Sequence, residues 1–379
     1  MSFASLGLPQ YLLDALIQNN LSRPYPIQEQ AIPYILDKKD VLGIANTGSG
    51  KTASFVLPIL ANLKAQAKLK DRNIAVLILV PTRELAIQVN EVFKDYTSFL
   101  PFNCKTMAVY GGTSVNIQMK TMSNVSILVA TPGRLLDLIS SNAVHLDEVK
   151  TFVIDEADKM LNLGFKEELN KIISLLPKKR QNLLFSATLN PNIESLQRVM
   201  LNNPLIIQIT SEDNNIDLIN QTAYAISPEK KGPLLRFLIE SKNMHQVLIF
   251  TSSAYQADAV VKKLNQNNIQ AKAIHGQKSQ FARTTALANF KDGKLRVLVA
   301  TDILARGIDI QFLPIVINYE LPRSPKDYIH RIGRTGRAEN PGEAISLVTP
   351  DEEHHFKIIQ KKMNKNVDLI EASKFDTLN

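Results

Sequence analysis

The chain holds a single cysteine, Cys104, among 379 residues. One thiol cannot close an intrachain disulfide, and it cannot supply a structural zinc cluster. Such cysteine usage suits a reducing compartment, and a cytoplasmic location is the expectation. Cys104 itself reads as a small buried or edge residue. No apolar run approaches the roughly 20 residues that a bilayer span needs, so no membrane partner is expected. The opening Met1-Ser2-Phe3-Ala4-Ser5-Leu6 has no basic segment ahead of an apolar one, which argues against a secretory signal. His354 and His355 stand without companion ligands, so they do not read as a metal site. Short repeats and low-complexity tracts are also missing.

What is present is an ordinary globular composition, 45% hydrophobic and 21% charged. The length exceeds one typical core and suits two domains. A net charge of +8 favours a polyanionic partner, because each phosphate neutralised by Lys or Arg releases a counterion. Charge points towards nucleic acid without establishing it.

Short apolar runs recur, each ended by a polar or glycine-rich turn. Residues 40–45 run into a glycine-rich loop, 75–80 into Pro81-Thr82-Arg83-Glu84-Leu85-Ala86, and 126–130 into Thr131-Pro132-Gly133-Arg134. Phe152-Val153-Ile154 reaches Asp155-Glu156-Ala157-Asp158, and Asn182-Leu183-Leu184-Phe185 reaches Ser186-Ala187-Thr188. Near-continuous apolar runs are expected of parallel strands buried on both faces. Helical patterns at 53–63 and 85–93 lie between them, so the units are βαβ and the fold class is α/β. In such sheets ligands sit beyond the carboxyl ends of the strands, where all these turns fall.

The polar stretch Thr210-Ser211-Glu212-Asp213-Asn214-Asn215 lacks apolar periodicity and reads as a linker. Beyond it the pattern restarts, with strands expected at 246–250, 296–300, 315–318 and 343–348. The expected division is 1–210 for a first domain, 211–217 for a linker and 218–379 for a second domain without a phosphate loop.

Ala45-Asn46-Thr47-Gly48-Ser49-Gly50-Lys51-Thr52 has the pattern of a phosphate-binding loop opening a helix. Backbone N–H groups from Thr47 to Lys51 are expected to curl around the β- and γ-phosphates, aided by the helix dipole. Lys51 adds a point charge to the same phosphates, and the Thr52 hydroxyl is placed to coordinate Mg²⁺. The loose pattern wants Gly where this chain has Ala45, a residue small enough to permit the turn. At the end of its own strand, Asp155 is expected to hold the Mg²⁺ through a water. Glu156 is expected to orient and deprotonate the attacking water.

His330-Arg331-Ile332-Gly333-Arg334-Thr335-Gly336-Arg337 gathers three guanidiniums and an imidazole, with glycines that let backbone approach something closely. Arg334 and Arg337 share one face if the segment is helical. Such a pair can stabilise charge spread over a transferring phosphoryl group, an effect on the order of 10³ or more in turnover. A site built between two domains is the economical explanation.

Together these residues resemble the DEAD-box RNA helicases of superfamily 2, and the resemblance covers essentially the whole chain. It implies two tandem RecA-like domains, each a mostly parallel sheet flanked by helices, joined by a short linker. It implies ATP and Mg²⁺ as cofactors. Phe3 and Asn20-Leu21-Ser22-Arg23-Pro24-Tyr25-Pro26-Ile27-Gln28 are similar to the family's adenine-reading motif. By that resemblance Gln28 bonds the adenine edge, Phe3 stacks on the ring, and Arg23 belongs to the same pocket. The family usually has Gly and an aromatic where this chain has Asn20 and Leu21. The resemblance also assigns RNA-backbone contacts to Pro81, Thr82, Arg83, Gly112, Thr131 and Arg134 in the first domain. In the second it assigns them to Gly276, Arg283 and Thr301. Gly307 and Asp309 correspond to nucleotide-contacting residues, Asp309 aligning with the acid on the ribose. Ser186, Thr188 and Asp158 correspond to the group that couples hydrolysis to strand separation.

The implied activity is RNA-stimulated ATP hydrolysis coupled to local, sequence-independent unwinding by domain closure. The expected partner is RNA, held by its backbone. A monomeric core is expected, with protein regulators as further partners. An ATP-gated RNA clamp without productive turnover, or a DNA translocase, would use a related arrangement. Intact Glu156, Arg334 and Arg337 argue against the clamp, and the adenine motif favours RNA over DNA by resemblance. Lys178-Lys179-Arg180 and the basic residues from Lys64 to Arg72 read as solvated loops. Lys357 and Lys361, opposite Phe356, Ile359 and Met363, read as part of an amphipathic terminal helix. No basic tail or RNA-recognition module is expected beyond it.

Overall fold

Two seven-stranded sheets organise the chain, and in both every strand pairing is parallel. In the computed structural model they lie in two compact units, Met1–Ser211 and Glu212–Asn379. The structure describes residues 2–19, 21–45, 48–63, 72–209, 219–302, 313–335 and 342–371. Among them no helix is long and apolar enough to cross a membrane.

The first unit contains β1 (Val41–Ile44), β2 (Val76–Leu79), β3 (Lys105–Val109), β4 (Val125–Ala130), β5 (Thr151–Ile154), β6 (Gln181–Ser186) and β7 (Leu205–Gln208). Its helices are α1 (Gln10–Gln18), α2 (Pro26–Leu36), α3 (Lys51–Asn62), α4 (Arg83–Thr97), α5 (Val115–Lys120), α6 (Pro132–Ser140), α7 (Ala157–Asn162), α8 (Lys166–Leu175) and α9 (Pro191–Met200). Strand order is β3-β4-β2-β5-β6-β1-β7. Side chains alternate across this sheet, as the strand period of two requires. Val76 and Ile78 of β2 join the layer of α3 and α4, while Leu77 and Leu79 join the layer of α6 to α9. Each fully buried aliphatic side chain contributes about 1.5–3 kcal/mol.

Gly43 inside β1 has a packing reason. A Cβ there would meet the Phe185 ring at 2.6 Å, and that ring packs on Phe55 of α3 with centroids 5.3 Å apart. The missing side chain lets the α3 layer close on the sheet directly behind the glycine-rich loop.

The second unit contains β8 (Ile219–Ala225), β9 (Val247–Thr251), β10 (Ala271–Ile274), β11 (Val297–Thr301), β12 (Ile315–Asn318), β13 (Gly342–Val348) and β14 (Leu369–Glu371). Its helices are α10 (Lys231–Ser241), α11 (Ala254–Gln266), α12 (Gln280–Lys291), α13 (Pro325–Ile332) and α14 (Glu353–Met363). Strand order is β10-β11-β9-β12-β13-β8-β14, the same sequence of positions as in the first sheet. The α/β class with two tandem parallel sheets is therefore as the sequence predicts.

All nine strands expected from apolar runs are present. Five others, β3, β7, β8, β10 and β14, carry no such run. Four of these are sheet edges, where only part of each strand is covered. The fifth, β8, is interrupted by Asn220 and Gln221, and Gln221 Oε1 accepts a hydrogen bond from the Tyr328 hydroxyl at 3.3 Å. The terminal helix α14 buries Phe356, Ile359 and Met363 and exposes Lys357 and Lys361, as its pattern predicts. Arg180 departs from the expected solvated loop. It donates to Asn182 Oδ1 at 2.7 Å and to Pro177 O, and stacks over Phe152 at 5.8 Å.

Candidate functional site

Sheet order sorts the special turns of the first unit into two neighbouring groups. The loops after β5, β6 and β1 carry the acidic tetrapeptide, Ser186-Ala187-Thr188 and the glycine-rich loop. The loops after β3, β4 and β2 carry Gly112, Thr131 and Pro81-Thr82-Arg83. Adjacent strands lie roughly 5 Å apart, so each group shares one stretch of the carboxyl edge.

In the first group, pairing of β1 with β6 continues past Ile44, with Ala45 N–H donating to Ser186 O at 3.1 Å. Ala45 has no left-handed φ, so its methyl group is accommodated without strain. Gly48 and Gly50 have φ of +86° and +84°, where a side chain is disfavoured. Lys51 opens α3, and its Nζ turns back to donate to Ala45 O. Burial is the main influence lowering the Lys51 pKa, opposed by Asp155 and Glu156. Thr52 follows on the first turn of α3. Asn46 and Thr47 lie outside the described residues.

Asp155 continues β5, its N–H donating to Leu79 O at 3.0 Å. Glu156 then takes a left-handed φ of +53°, a conformation that costs a non-glycine residue on the order of 1 kcal/mol or more. That kink lets Glu156 N–H donate to Asp155 Oδ1 at 2.8 Å and turns the chain into α7. Lys159 Nζ bonds Glu156 Oε1 at 2.6 Å, while Glu156 Oε2 is buried without a hydrogen-bond partner. Burial first, then the neighbouring Glu156 charge, push the Asp155 carboxyl up to about 6, against the pull of Lys51. Two buried carboxylates thus stand together, with the charges of Lys51 and Lys159 acting on them. Among the described residues no cluster of three or more His, Cys, Asp or Glu could hold a metal unaided.

Asp158 accepts from Ala187 N–H at 3.3 Å and from the Thr188 hydroxyl at 3.4 Å. Ser186 Oγ donates to Thr188 O at 2.8 Å and accepts from Thr188 N–H at 3.2 Å. These bonds tie the end of β6 to α7.

Gln28 is 2% exposed, and both ends of its amide are engaged. Its Oε1 accepts from Tyr25 N–H at 2.9 Å and its Nε2 donates to Gly50 O at 3.0 Å. A Cβ on Gly50 would meet Nε2 at 2.5 Å. Reading a base edge therefore requires Gln28 to exchange its bond to the loop. Phe3 packs within the core of the first unit, and Arg23 is exposed. Sequence reasoning missed this role of Gln28 as a brace for the loop. No local pattern reveals a contact across 22 positions.

In the second group, Pro81 is buried and Thr82 caps α4, its hydroxyl accepting from Leu85 N–H at 3.3 Å. Arg83 lies against Gly112, whose φ is +82° and whose Cβ would stand 2.0 Å from Nη1. Arg134 is buried, donating to Gln118 Oε1 at 2.7 Å and Thr113 O at 2.9 Å. It binds the loop after β3 to α6, and Thr131 N–H ties the same helix start to Val109 O at 3.1 Å.

In the second unit, Gly276 follows β10 and Thr301 ends β11, beside Thr251 of β9. Arg283 is buried on α12 and donates to Gln280 Oε1. Of the arginine cluster Arg334 is buried, and so, at 2% exposure, is Arg331. It grips Asp302 through Nε and Nη2 at 2.6 and 2.8 Å, donates to Asn318 Oδ1 and Glu320 O, and covers the Phe250 ring at 4.9 Å. The helix stops at Ile332, with Gly333 as its cap, so Arg334 lies beyond its end. Thr335 pairs with Leu313, and Arg334 O accepts from Leu313 N–H at 3.1 Å. Gly307, Asp309 and Arg337 lie outside the described residues, as does the linker at 211–217.

Comparison with known proteins agrees with this layout. Residues 25–196 match the DEAD/DEAH box helicase family model and 229–339 the helicase conserved C-terminal domain. The ATP-dependent RNA helicase CshA of Limosilactobacillus reuteri is 40% identical over 362 residues, covering 95% of this chain and 72% of that protein. The chain belongs to the DEAD-box ATP-dependent RNA helicases. Another relative, the DEAD-box helicase RhpA of Helicobacter pylori strain 26695, is 39% identical over 98% of this chain and 74% of its own length. Among solved structures, Saccharomyces cerevisiae Dbp5 bound to RNA and ADP BeF3 is similar with a TM-score of 0.86 and 29% identity, covering 99% of this chain and 97% of that one.

As a DEAD-box helicase the chain is an ATP-using enzyme, and the crowded Lys51–Asp155–Glu156 group is the candidate for that chemistry. The Asp158–Thr188–Ser186 bonds run from this group to the next turn of the same edge.

Proposed function

We propose that this DEAD-box helicase hydrolyses ATP in response to RNA and opens short duplexes locally, without reading sequence. ATP and single-stranded RNA draw the two domains closed, and hydrolysis with phosphate loss reopens them. The observation that carries the reading is the buried Lys51–Asp155–Glu156 group beside the glycine-rich loop. In this reading residues 1–210 and 218–379 act as the two domains, with 211–217 as linker.

Lys51 exchanges its bond to Ala45 O for phosphate oxygens, joined by backbone N–H groups of the loop. Gln28, Phe3 and Arg23 select the adenine. Glu156 Oε2, buried and without a partner, accepts the proton of the water that attacks the γ-phosphorus. As the new P–O bond forms, the bond to the β-phosphate oxygen breaks. Asp155 and the Thr52 hydroxyl supply hard oxygen donors suited to Mg²⁺, and the raised Asp155 pKa fits a position awaiting a cation. When bound, Mg²⁺ offsets charge on the phosphate oxygens. Arg334 and Arg337 stabilise the transferring phosphoryl group from the second domain. Asp158, Ser186 and Thr188 relay its loss to the RNA side.

RNA is held through its backbone by Arg83, Gly112, Thr131 and the loop braced by Arg134, and in the second domain by Gly276, Arg283 and Thr301. The logarithm of affinity therefore falls linearly with the logarithm of salt concentration. The test is phosphate release with and without RNA, for wild type and Arg334→Ala. ATP binding should survive in the variant, while RNA-stimulated turnover drops by about 10³. Unchanged turnover removes the closure mechanism, and wild-type release indifferent to RNA favours a clamp.

A further inference from the structure

Two aromatic rings of the second unit stand out in water. Tyr255 is 82% exposed and Phe281 81%, the two highest values for large apolar side chains among the described residues. An exposed ring forgoes about 1.5–3 kcal/mol of burial, and one such residue alone would mean little. These two share a place. Tyr255 lies on the first turn of α11, after β9, and Phe281 on the first turn of α12, after β10. The strand between them in the sheet is β11, which ends at Thr301.

A clip joins the two positions. Asp258, one turn along α11 from Tyr255, bonds Lys278 at 2.8 Å, and the buried His275 ring lies 3.2 Å from its other oxygen. Lys278 is in turn three residues before Phe281. Ser279 and Gln280 separate Lys278 from Phe281, and a Cβ on the exposed Gly276 would meet nothing within 4 Å. Helix α11 packs on the face of Val297 and Val299 and α12 on that of Leu298 and Ala300, so the rings stand on opposite faces at the carboxyl edge, which also carries Gly276 and Thr301.

We propose that Tyr255 and Phe281 are stacking platforms for the bases of single-stranded RNA. The proposal rests on the RNA-helicase reading and extends it, since the contacts assigned so far grip only the backbone. A backbone held at Gly276, Arg283 and Thr301 leaves its bases to either side, where a flat ring can meet them. Stacking is tolerant of sequence because every base has a π-face, so it adds affinity without adding a preferred site.

The chain has no tryptophan, so Phe281→Trp and Tyr255→Trp each introduce a sole indole reporter. The probe is an oligouridine of about ten nucleotides, within the span of single-strand sites. Its addition should quench each indole. Tyr255→Ala and Phe281→Ala should each weaken its binding about tenfold, and the double variant more. Tyr255→Phe and Phe281→Tyr should retain wild-type affinity, and unchanged thermal midpoints would exclude misfolding as the cause. Full RNA affinity in the double alanine variant overturns the proposal, including the case where the rings serve a protein partner. Indole emission unmoved by saturating RNA overturns it as well. Wild-type protein that binds no oligouridine would instead bring down the RNA-helicase reading beneath it.

Discussion

Asp155 is costly where it stands, and the cost has a pH signature. Burial and Glu156 raise its carboxyl to about 6 from an ordinary value of 3.8. A carboxyl raised on folding gives stability that is complete below the unfolded value and lost as pH rises through the folded one. At pH 7.5 the nucleotide-free protein has lost that contribution. Asp155→Asn cannot ionise, so it should be more stable there, by roughly 2 kcal/mol. The advantage should shrink as pH falls from 6 to 4, because the wild-type carboxyl then takes up its proton. Urea unfolding of the first domain at three pH values measures this, and a variant less stable at pH 7.5 refutes it. The same variant should lose Mg²⁺-dependent ATP binding, the exchange of stability for function expected at such sites. The sequence made Asp155, Glu156 and Lys51 legible as a group, because glycine-rich loop and acidic strand end each follow an apolar run. It did not reveal the left-handed turn at Glu156, which arises from how α7 leaves the strand.

At the scale of elements, Arg331 marks the limit of what a motif conveys. Three arginines within the cluster look alike in sequence, yet α13 turns the first of them inward onto Asp302, Asn318, Glu320 and Phe250. Arg334, one residue past the Gly333 cap, is buried as well, but from a turn and not from the helix. A planar guanidinium fills all of these contacts at once, whereas an ammonium meets only some of them. Arg331→Lys should therefore destabilise the second domain by about 3 kcal/mol, despite keeping the charge. Thermal or urea unfolding of that domain is the measurement, and a loss below about 0.5 kcal/mol would show that Arg331 is not the strut described. The same reasoning explains the strands. Central strands are buried on both faces and read as unbroken apolar runs, so β1, β2 and β5 were legible. An edge strand such as β3 mixes Lys105 and Thr106 with Met107 and Val109, and only its neighbour β4 fixes it as a strand.

Across the whole molecule, one strand order occurs twice, but the chemistry does not. The helix after β1 opens with Lys51, and the helix after β8, its counterpart in the second sheet, opens with Lys231. Lys51 stands beside a glycine-rich loop in which Gly48 and Gly50 both take positive φ. Lys231 instead is buried, with its Nζ donating to Tyr319 O and to Glu352 Oε2, each at 3.0 Å. The carboxylate of Glu352 takes the place that an anion would need, and Thr349 N–H and hydroxyl hold it there at 3.1 and 2.9 Å. Burial alone would raise the Glu352 pKa, but Lys231 and Thr349 outweigh it and keep it below the ordinary range. A depressed carboxyl contributes stability present above its unfolded value of 4.5 and lost as pH falls through the folded one. Glu352→Gln leaves Lys231 buried without its counter-charge and should cost the second domain about 2–3 kcal/mol at pH 7.5. That deficit should narrow towards pH 4, where wild-type Glu352 itself begins to protonate. Calorimetric titration should find one MgATP per chain in both proteins, because no glycine loop precedes Lys231 and Glu352 already holds its ammonium. An equally stable variant, or a second nucleotide bound by wild type, would mean that the second sheet has kept a working phosphate site.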